Sequence, residues 1–191
     1  MASAVDICNL ALQRLGAKSI SSLNEDSTAG RACNRIYDHA RDSELRSHPW
    51  SFARTRVSVA AEATDPAFGY GKQYPLPSDC LRILPNDSTG ILSTQDDWQV
   101  EGRKILTDDT SPIYLVYIKQ ITDESQFDSL FIELLVSRIA MDIAEAVTQS
   151  NKKKEEATSR YVNAQKEAKK ANAFGRPPQV PPTDPWVTAR L

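Results

Sequence analysis

Cysteine is scarce in this chain of 191 residues: Cys8, Cys33 and Cys80 are all there are, and no two stand in a C-x-x-C spacing. An odd, widely spaced set cannot staple a small disulfide scaffold and lacks the ligand spacing of a zinc site. Cys8 and Cys33 fall on apolar helical stripes, where a free thiol behaves as a small hydrophobe, and such usage fits a reducing cytosol. Histidine is scarcer still, with only His39 and His48. His48 falls at the end of a helical pattern, where a cation suits the dipole. His39 adjoins Asp38, but neighbours in sequence do not face each other on a helix. Both read as structural or solvated side chains rather than as a base or a ligand. The seven glycines build no Walker loop and no G-x-G-x-x-G, and G-x-S-x-G and H-E-x-x-H are missing too. Gly69-Tyr70-Gly71 has no helix after it to hold a phosphate.

Paired carboxylates stand as sequence doublets at Asp96-Asp97, Asp108-Asp109 and Glu155-Glu156. Side chains adjacent on a strand project to opposite faces and do not flank a cleft. Asp108-Asp109-Thr110 reads as a turn. No catalytic residue, metal ligand or cofactor site is therefore expected. A long hydrophobic run is also lacking. The most apolar stretch, residues 131–147, is broken by Glu133, Arg138, Asp142 and Glu145, so no membrane span is expected. The opening MASAVDICNLALQRLG has an early acid and no basic leader region, and it reads as a folded helix rather than a signal peptide.

What remains is an ordinary globular composition, 40% hydrophobic and 25% charged, which excludes a wholly disordered or fibrous chain. Lys plus Arg number 23 against 25 Asp plus Glu, a net charge of −2, unlike the strong basicity of a protein that wraps DNA phosphates. Periodicity predicts a helix over residues 3–15, opened by Ser3-x-x-Asp6 and stopped by Gly16, with Val5, Cys8, Leu12 and Leu15 on one face. A second helix is expected over 28–47, with Ala29, Cys33, Ile36 and Ala40 inward and Arg31, Arg35, Asp38 and Asp42 outward. His48-Pro49 ends it, because the residue before proline disfavours the helical region.

Alternation then replaces the helical period over 52–59. Further strands are expected over 70–76, 81–84 and 113–118, and a hairpin turns at Glu101-Gly102-Arg103. Helix returns at Asp128, with a broad face of Phe131, Leu134, Leu135, Ile139, Ile143, Ala146 and Val147. After Ser150-Asn151 a last helix carries the stripe Ala157, Tyr161, Ala164, Ala168 and Ala171, small enough for close helix packing. The fold expected is α+β. A four-helix bundle (residues 1–50 and 120–174) carries an inserted small antiparallel β domain (51–119). An extended C-terminal arm (175–191) holds Pro177, Pro178, Pro181, Pro182 and Pro185.

Three features point to partners. Lys152, Lys153, Lys154, Arg160, Lys166, Lys169 and Lys170 stand against Glu155, Glu156 and Glu167, a local balance of +4. Such a run is either a solvated helix face or a docking face for an acidic partner. In the arm, Trp186 is a candidate anchor, flanked by Arg176 and Arg190 for carboxylates on a partner. Pro49, Trp50 and Phe52 mark a candidate hinge between bundle and β region, with both aromatics in the seam.

Taken in order, these elements resemble the head-tail adaptor of short-tailed bacteriophages, the tail tubular protein A family. The resemblance rests on Ala11-Leu12 with Leu15-Gly16, on Tyr37 and Arg41-Asp42, and on Pro49-Trp50-Ser51-Phe52-Ala53. It continues through residues 74–82, through 98–105, and through Tyr114-Leu115-Val116-Tyr117 and Phe127-Asp128-Ser129-Leu130-Phe131. It implies a non-enzymatic virion protein of the head-tail junction, made in the host cytoplasm. It further implies a dodecameric ring of copies between the portal protein and the tail nozzle (tail tubular protein B-like), with genomic DNA passing through the lumen without sequence-specific binding. No cofactor and no membrane is implied. Two other classes stay open: a virion-associated cell-wall hydrolase, and a nucleic-acid-binding module using the basic helix 152–170.

Overall fold

A computed structural model describes residues 3–84 and 97–174. The first helix, α1 (Ala4–Leu15), is opened by a reciprocal cap. The Asp6 amide donates to Ser3 Oγ (3.2 Å) and the Ser3 amide to Asp6 Oδ2 (3.0 Å), and Gly16 closes the helix at φ 75°. Ser27 caps α2 (Thr28–Ser47), accepting from the Gly30 amide at 3.0 Å. Gly30 is needed there, since a Cβ would stand 2.5 Å from the Glu25 carbonyl oxygen. Asp128 caps α3 (Ser129–Thr148), Gln149 leaves it at φ 50°, and α4 (Asn151–Phe174) follows.

The protein is α+β: four helices and two small antiparallel sheets of three strands each. The first sheet has the order β1-β6-β3 (Arg54–Val59, Ile113–Lys119, Cys80–Leu84) and the second β2-β5-β4 (Lys72–Pro75, Lys104–Thr107, Trp98–Glu101). The strand β6 joins two cores by the period of two in its side chains. Val116 and Ile118, with Leu84, pack into the larger core among the helices. Ile113 and Leu115, with Val59, face Tyr74 and Ile105 of the second sheet. The layers thus run from helices through the first sheet to the second. Within the helical layer α3 is the hub, with α1, α2 and α4 all packed against it. The small residues Ala157, Ala164 and Ala168 are the buried positions of α4.

The hairpin at Gly102 and Arg103 is present, with φ of 51° and 64°, the doubly positive pair of a tight two-residue turn. Two of the expected strands start two residues later, at Arg54 and Lys72. Residues 51–53 form a short 3-10 turn rather than strand, because Trp50 and Phe52 are drawn to the α3 side. Residues 70–71 precede the strand, the Gly71 amide donating to Asp108 Oδ1 (2.6 Å) instead of a ladder. Ala146 is exposed, while Val136, Ser137, Ala140 and Ala144 are buried. The α3 stripe therefore turns further round the helix than its large residues suggest. On α2 the inward face includes Tyr37, Arg41 and Glu44, which the apolar pattern alone does not select.

Tyr117 of β6 lies buried, its hydroxyl donating to Asp79 Oδ1 at 3.1 Å. Burial first, and then the bond to Asp79, push its phenol up to about 12, against an ordinary value of about 10. Between these values the native state holds a proton that the unfolded chain releases, so stability falls as pH rises through that window. Urea midpoints should therefore drop between about pH 10 and about pH 12, and Tyr117→Phe should flatten part of that drop. A Tyr117 phenolate absorbance that appears at the ordinary tyrosine pH would contradict this.

Candidate functional site

The junction between α2 and β1 concentrates the unusual chemistry of the chain. The carbonyl of Glu44, in the last turn of α2, has no partner further along the helix. It accepts from Ser47 Oγ (2.9 Å) and from the indole Nε1 of Trp50 (2.8 Å). That bond folds Trp50 back beneath the helix end, where it is 2% exposed. Its ring stands edge-on to Phe131 (centroids 5.2 Å apart), and Phe52 and Phe127 each reach Phe131 at 5.1 Å. The expected hinge residues Trp50 and Phe52 thus pack with the helices, in the same core that takes in Val116 and Ile118 of the first sheet.

The far end of α4 closes on the same turn. Asn172 Oδ1 accepts from the Ser51 amide (2.8 Å), and its Nδ2 donates to the Pro49 carbonyl (3.3 Å) and lies 3.0 Å from His48 Nε2. One carboxamide therefore ties His48, Pro49 and Ser51 of the junction to a helix more than a hundred residues away in sequence.

Beneath this turn lies a charged node. Glu44 Oε1 accepts from Arg138 (3.1 Å) and from the Tyr161 hydroxyl (2.8 Å), while Arg138 Nε donates to Asp142 at 2.8 Å. The Glu44 side chain is 2% exposed, and its Oε2 has no hydrogen-bond partner. Burial works against the charge of Arg138, but Asp142, Tyr161 and Glu44 outweigh it and raise the pKa above the ordinary arginine value. Burial, and then the bond to Glu44, raise the Tyr161 phenol. The buried Arg41 is held separately by Asp42 (2.9 Å) and Asp38 (2.8 Å). Asp42 also accepts from Gln120 at the end of β6 (2.7 Å). These charges face one another and lock α2, α3, α4 and the end of β6 into one body.

The other expected partner-binding residues are placed apart. Lys152 is exposed at the start of α4 and makes no ion pair among the described residues. Lys154 pairs with Glu145 (2.7 Å) and Lys153 lies 4.0 Å from Glu156. Trp186, Arg176 and Arg190 lie outside the described residues. His39 is exposed, and no group of three His, Cys, Asp or Glu side chains suited to a metal ion occurs among the described residues. No helix there is long and apolar enough to cross a membrane. The apolar stripe alone misses Glu44, Arg138 and Asn172. For Glu44 a signal exists: Cys33, Tyr37, Ala40, Arg41 and Glu44 share one helical spacing, so charge stands inside an apolar stripe.

Two substitutions test the node. Arg138→Met should cost about 3–5 kcal/mol in urea unfolding, because Glu44 is left charged and buried with only Tyr161. Glu44→Gln keeps an acceptor for both partners and leaves Arg138 to Asp142, so its cost should be smaller, about 1–3 kcal/mol. Equal costs would show that the carboxylate is not held by the guanidinium. No protein-family model matches the chain, and none of the curated proteins does.

Proposed function

We propose that the chain is a head-tail adaptor: a structural protein whose copies form a ring joining the portal to the tail nozzle and lining part of the DNA ejection channel. The observation that carries the reading is where the resemblance falls. Tyr37, Arg41, Asp42, Trp50, Phe52, Phe127 and Phe131 all belong to the junction and its bracing (Tyr37 donates to Glu124 Oε1 at 2.9 Å). The shared residues thus support a rigid scaffold rather than a reacting centre, as expected of a ring component without a catalytic role. The finer architecture in this reading is a four-helix bundle with the sheets inserted between its halves.

The partners proposed are the portal protein, the nozzle, neighbouring copies in a dodecameric ring, and DNA in the lumen. Lysines at the start of α4 oppose the positive end of its helix dipole, a local cost that an acidic docking partner would offset. The nucleic-acid-binding reading is weaker, since aromatic interleaving for base stacking is nearly absent from the run and its one ring, Tyr161, is bonded to Glu44. Residues 175–191 form the arm that reaches another chain, with Trp186 as its anchor and Arg176 and Arg190 pairing with carboxylates.

Docking on a preassembled portal raises effective concentration without new contacts, so the free chain should sediment below a dodecamer at low micromolar concentration. A stable dodecamer under those conditions would overturn this. Trp186→Ala, or deletion after Gly175, should leave the chain folded and block its incorporation into portal-bearing capsids. The lost anchor is worth roughly 2 kcal/mol or more, about a 30-fold loss of affinity. Normal incorporation of the truncated chain would sink the role of the arm.

A further inference from the structure

The outer face of the second sheet carries a groove of about 510 Å³ that the junction does not use. Register places it: Tyr74, Ile105 and Thr107 point toward the first sheet, so Gln73, Leu106 and Gln99 point away. Pro66, Phe68 and Tyr70 of the preceding loop complete the lining. Phe68 is 90% exposed, yet its loop is tethered on both sides. Tyr70 donates to Asp97 (2.9 Å), the Gly71 amide to Asp108 (2.6 Å), and Lys72 to Asp65 (2.9 Å). Holding a loop in place while leaving a phenyl ring in water is unfavourable unless something covers the ring.

The chemistry of the groove is specific. Aromatic rings beside a proline, with glutamine amides between them, suit a polyproline II strand, whose rings stack on aromatics and whose carbonyls accept side-chain hydrogen bonds. The Gln99 side chain makes no hydrogen bond among the described residues, so its amide is available. Carboxylates outnumber cations around it: Glu101 and Lys104 line the groove, and the bonds that hold the loop and strands bring Glu62, Asp65, Asp97 and Asp108 against Lys72 alone. A proline-rich strand preceded by a cation fits such a groove, and the chain contains one, Arg176-Pro177-Pro178-Gln179-Val180-Pro181-Pro182-Thr183-Asp184-Pro185-Trp186.

We propose that the groove at Phe68 is the receptor for residues 176–186 of a second copy of this chain. The inference rests on the reading that the arm docks on another chain, and it names the surface. The twelve residues 175–186 that follow Phe174 span about 37 Å when extended as polyproline II. They start where Asn172 meets the α2–β1 junction, on the helical side, whereas the groove faces away from the helices on the far sheet. Donor and acceptor on opposite sides make a head-to-tail contact, the kind that closes rings. Arg176 meets the acidic rim and Trp186 stacks with Phe68 or Tyr70.

The test uses the full chain with no portal present. A benzophenone amino acid replaces Phe68, isotopically labelled and unlabelled copies are mixed at high concentration, and the photoproducts are read by mass. Crosslinks from position 68 to residues 176–186 that join labelled to unlabelled chains are expected. Trp186→Ala should lower their yield about 30-fold below saturation. Crosslinks confined to one chain, crosslinks to other surfaces only, or none at all would overturn the proposal. The chain bearing benzophenone at position 68 should keep the thermal midpoint of the unsubstituted chain, with and without Trp186→Ala, so a lost crosslink is not lost folding. Failure here with normal capsid incorporation removes the groove and leaves the adaptor reading standing; failure of incorporation by the full chain removes the latter.

Discussion

The indole N–H of Trp50 and the carbonyl of Glu44 sit at the point where the chain stops being helix and starts being sheet. A helix that ends at a proline leaves carbonyls without partners, and burying one unpaired costs about 1–3 kcal/mol. Here the partner comes from the side chain six residues on. It satisfies the carbonyl and, by the same bond, turns a large ring into the space beside Phe131. The first strand then leaves in the one direction that seats Phe52 against Phe127 and Phe131. The bond thus sets the direction in which the chain leaves the helices for the first sheet, an angle that Asp42 with Gln120 and the shared core of Val116 and Ile118 then hold.

A second layer of constraint is electrostatic. A buried ion pair adds little net stability over apolar packing, because desolvation offsets most of the attraction. What it supplies at Glu44 is specificity: Arg138, Asp142 and Tyr161 can be satisfied together only when α2, α3 and α4 share one register. Arg41, with Asp42 and Gln120, does the same between α2 and the end of β6. The body is therefore braced at points where apolar surfaces alone would permit sliding.

Set against that braced body, the second sheet is lightly committed. Its own core is small, built on Tyr74 and Ile105 against one face of β1 and β6, and its outer face shows polar groups and a bare phenyl ring. One end of the chain is thus held rigidly, while the other carries the groove lined by Phe68 and Tyr70. The same physical reading makes α4, long and narrow in its buried stripe, a strut: a face of alanines turned inward, with Tyr161 and Asn172 tying it to α2 and the junction.

Much of this was legible in the chain before folding. Helix ends follow from local chemistry: Ser3 with Asp6, Gly16, Ser27, His48-Pro49 and Asp128 each act within a few residues, so boundaries there could be read directly. The Gly102 turn and the strand β6 are equally local. Partnership across long separations was not legible. Nothing near Glu44 in sequence announces Arg138 or Tyr161, and nothing near Asn172 announces Ser51, because side-chain bonds between distant segments depend on how helices are rotated against one another. Phe52 reads as strand by alternation, yet the pull of the α3 aromatics makes its segment a turn. The apolar pattern determined which faces turn inward; only the packed structure decided which charges went in with them, since a buried charge is tolerated where a partner from another element already waits.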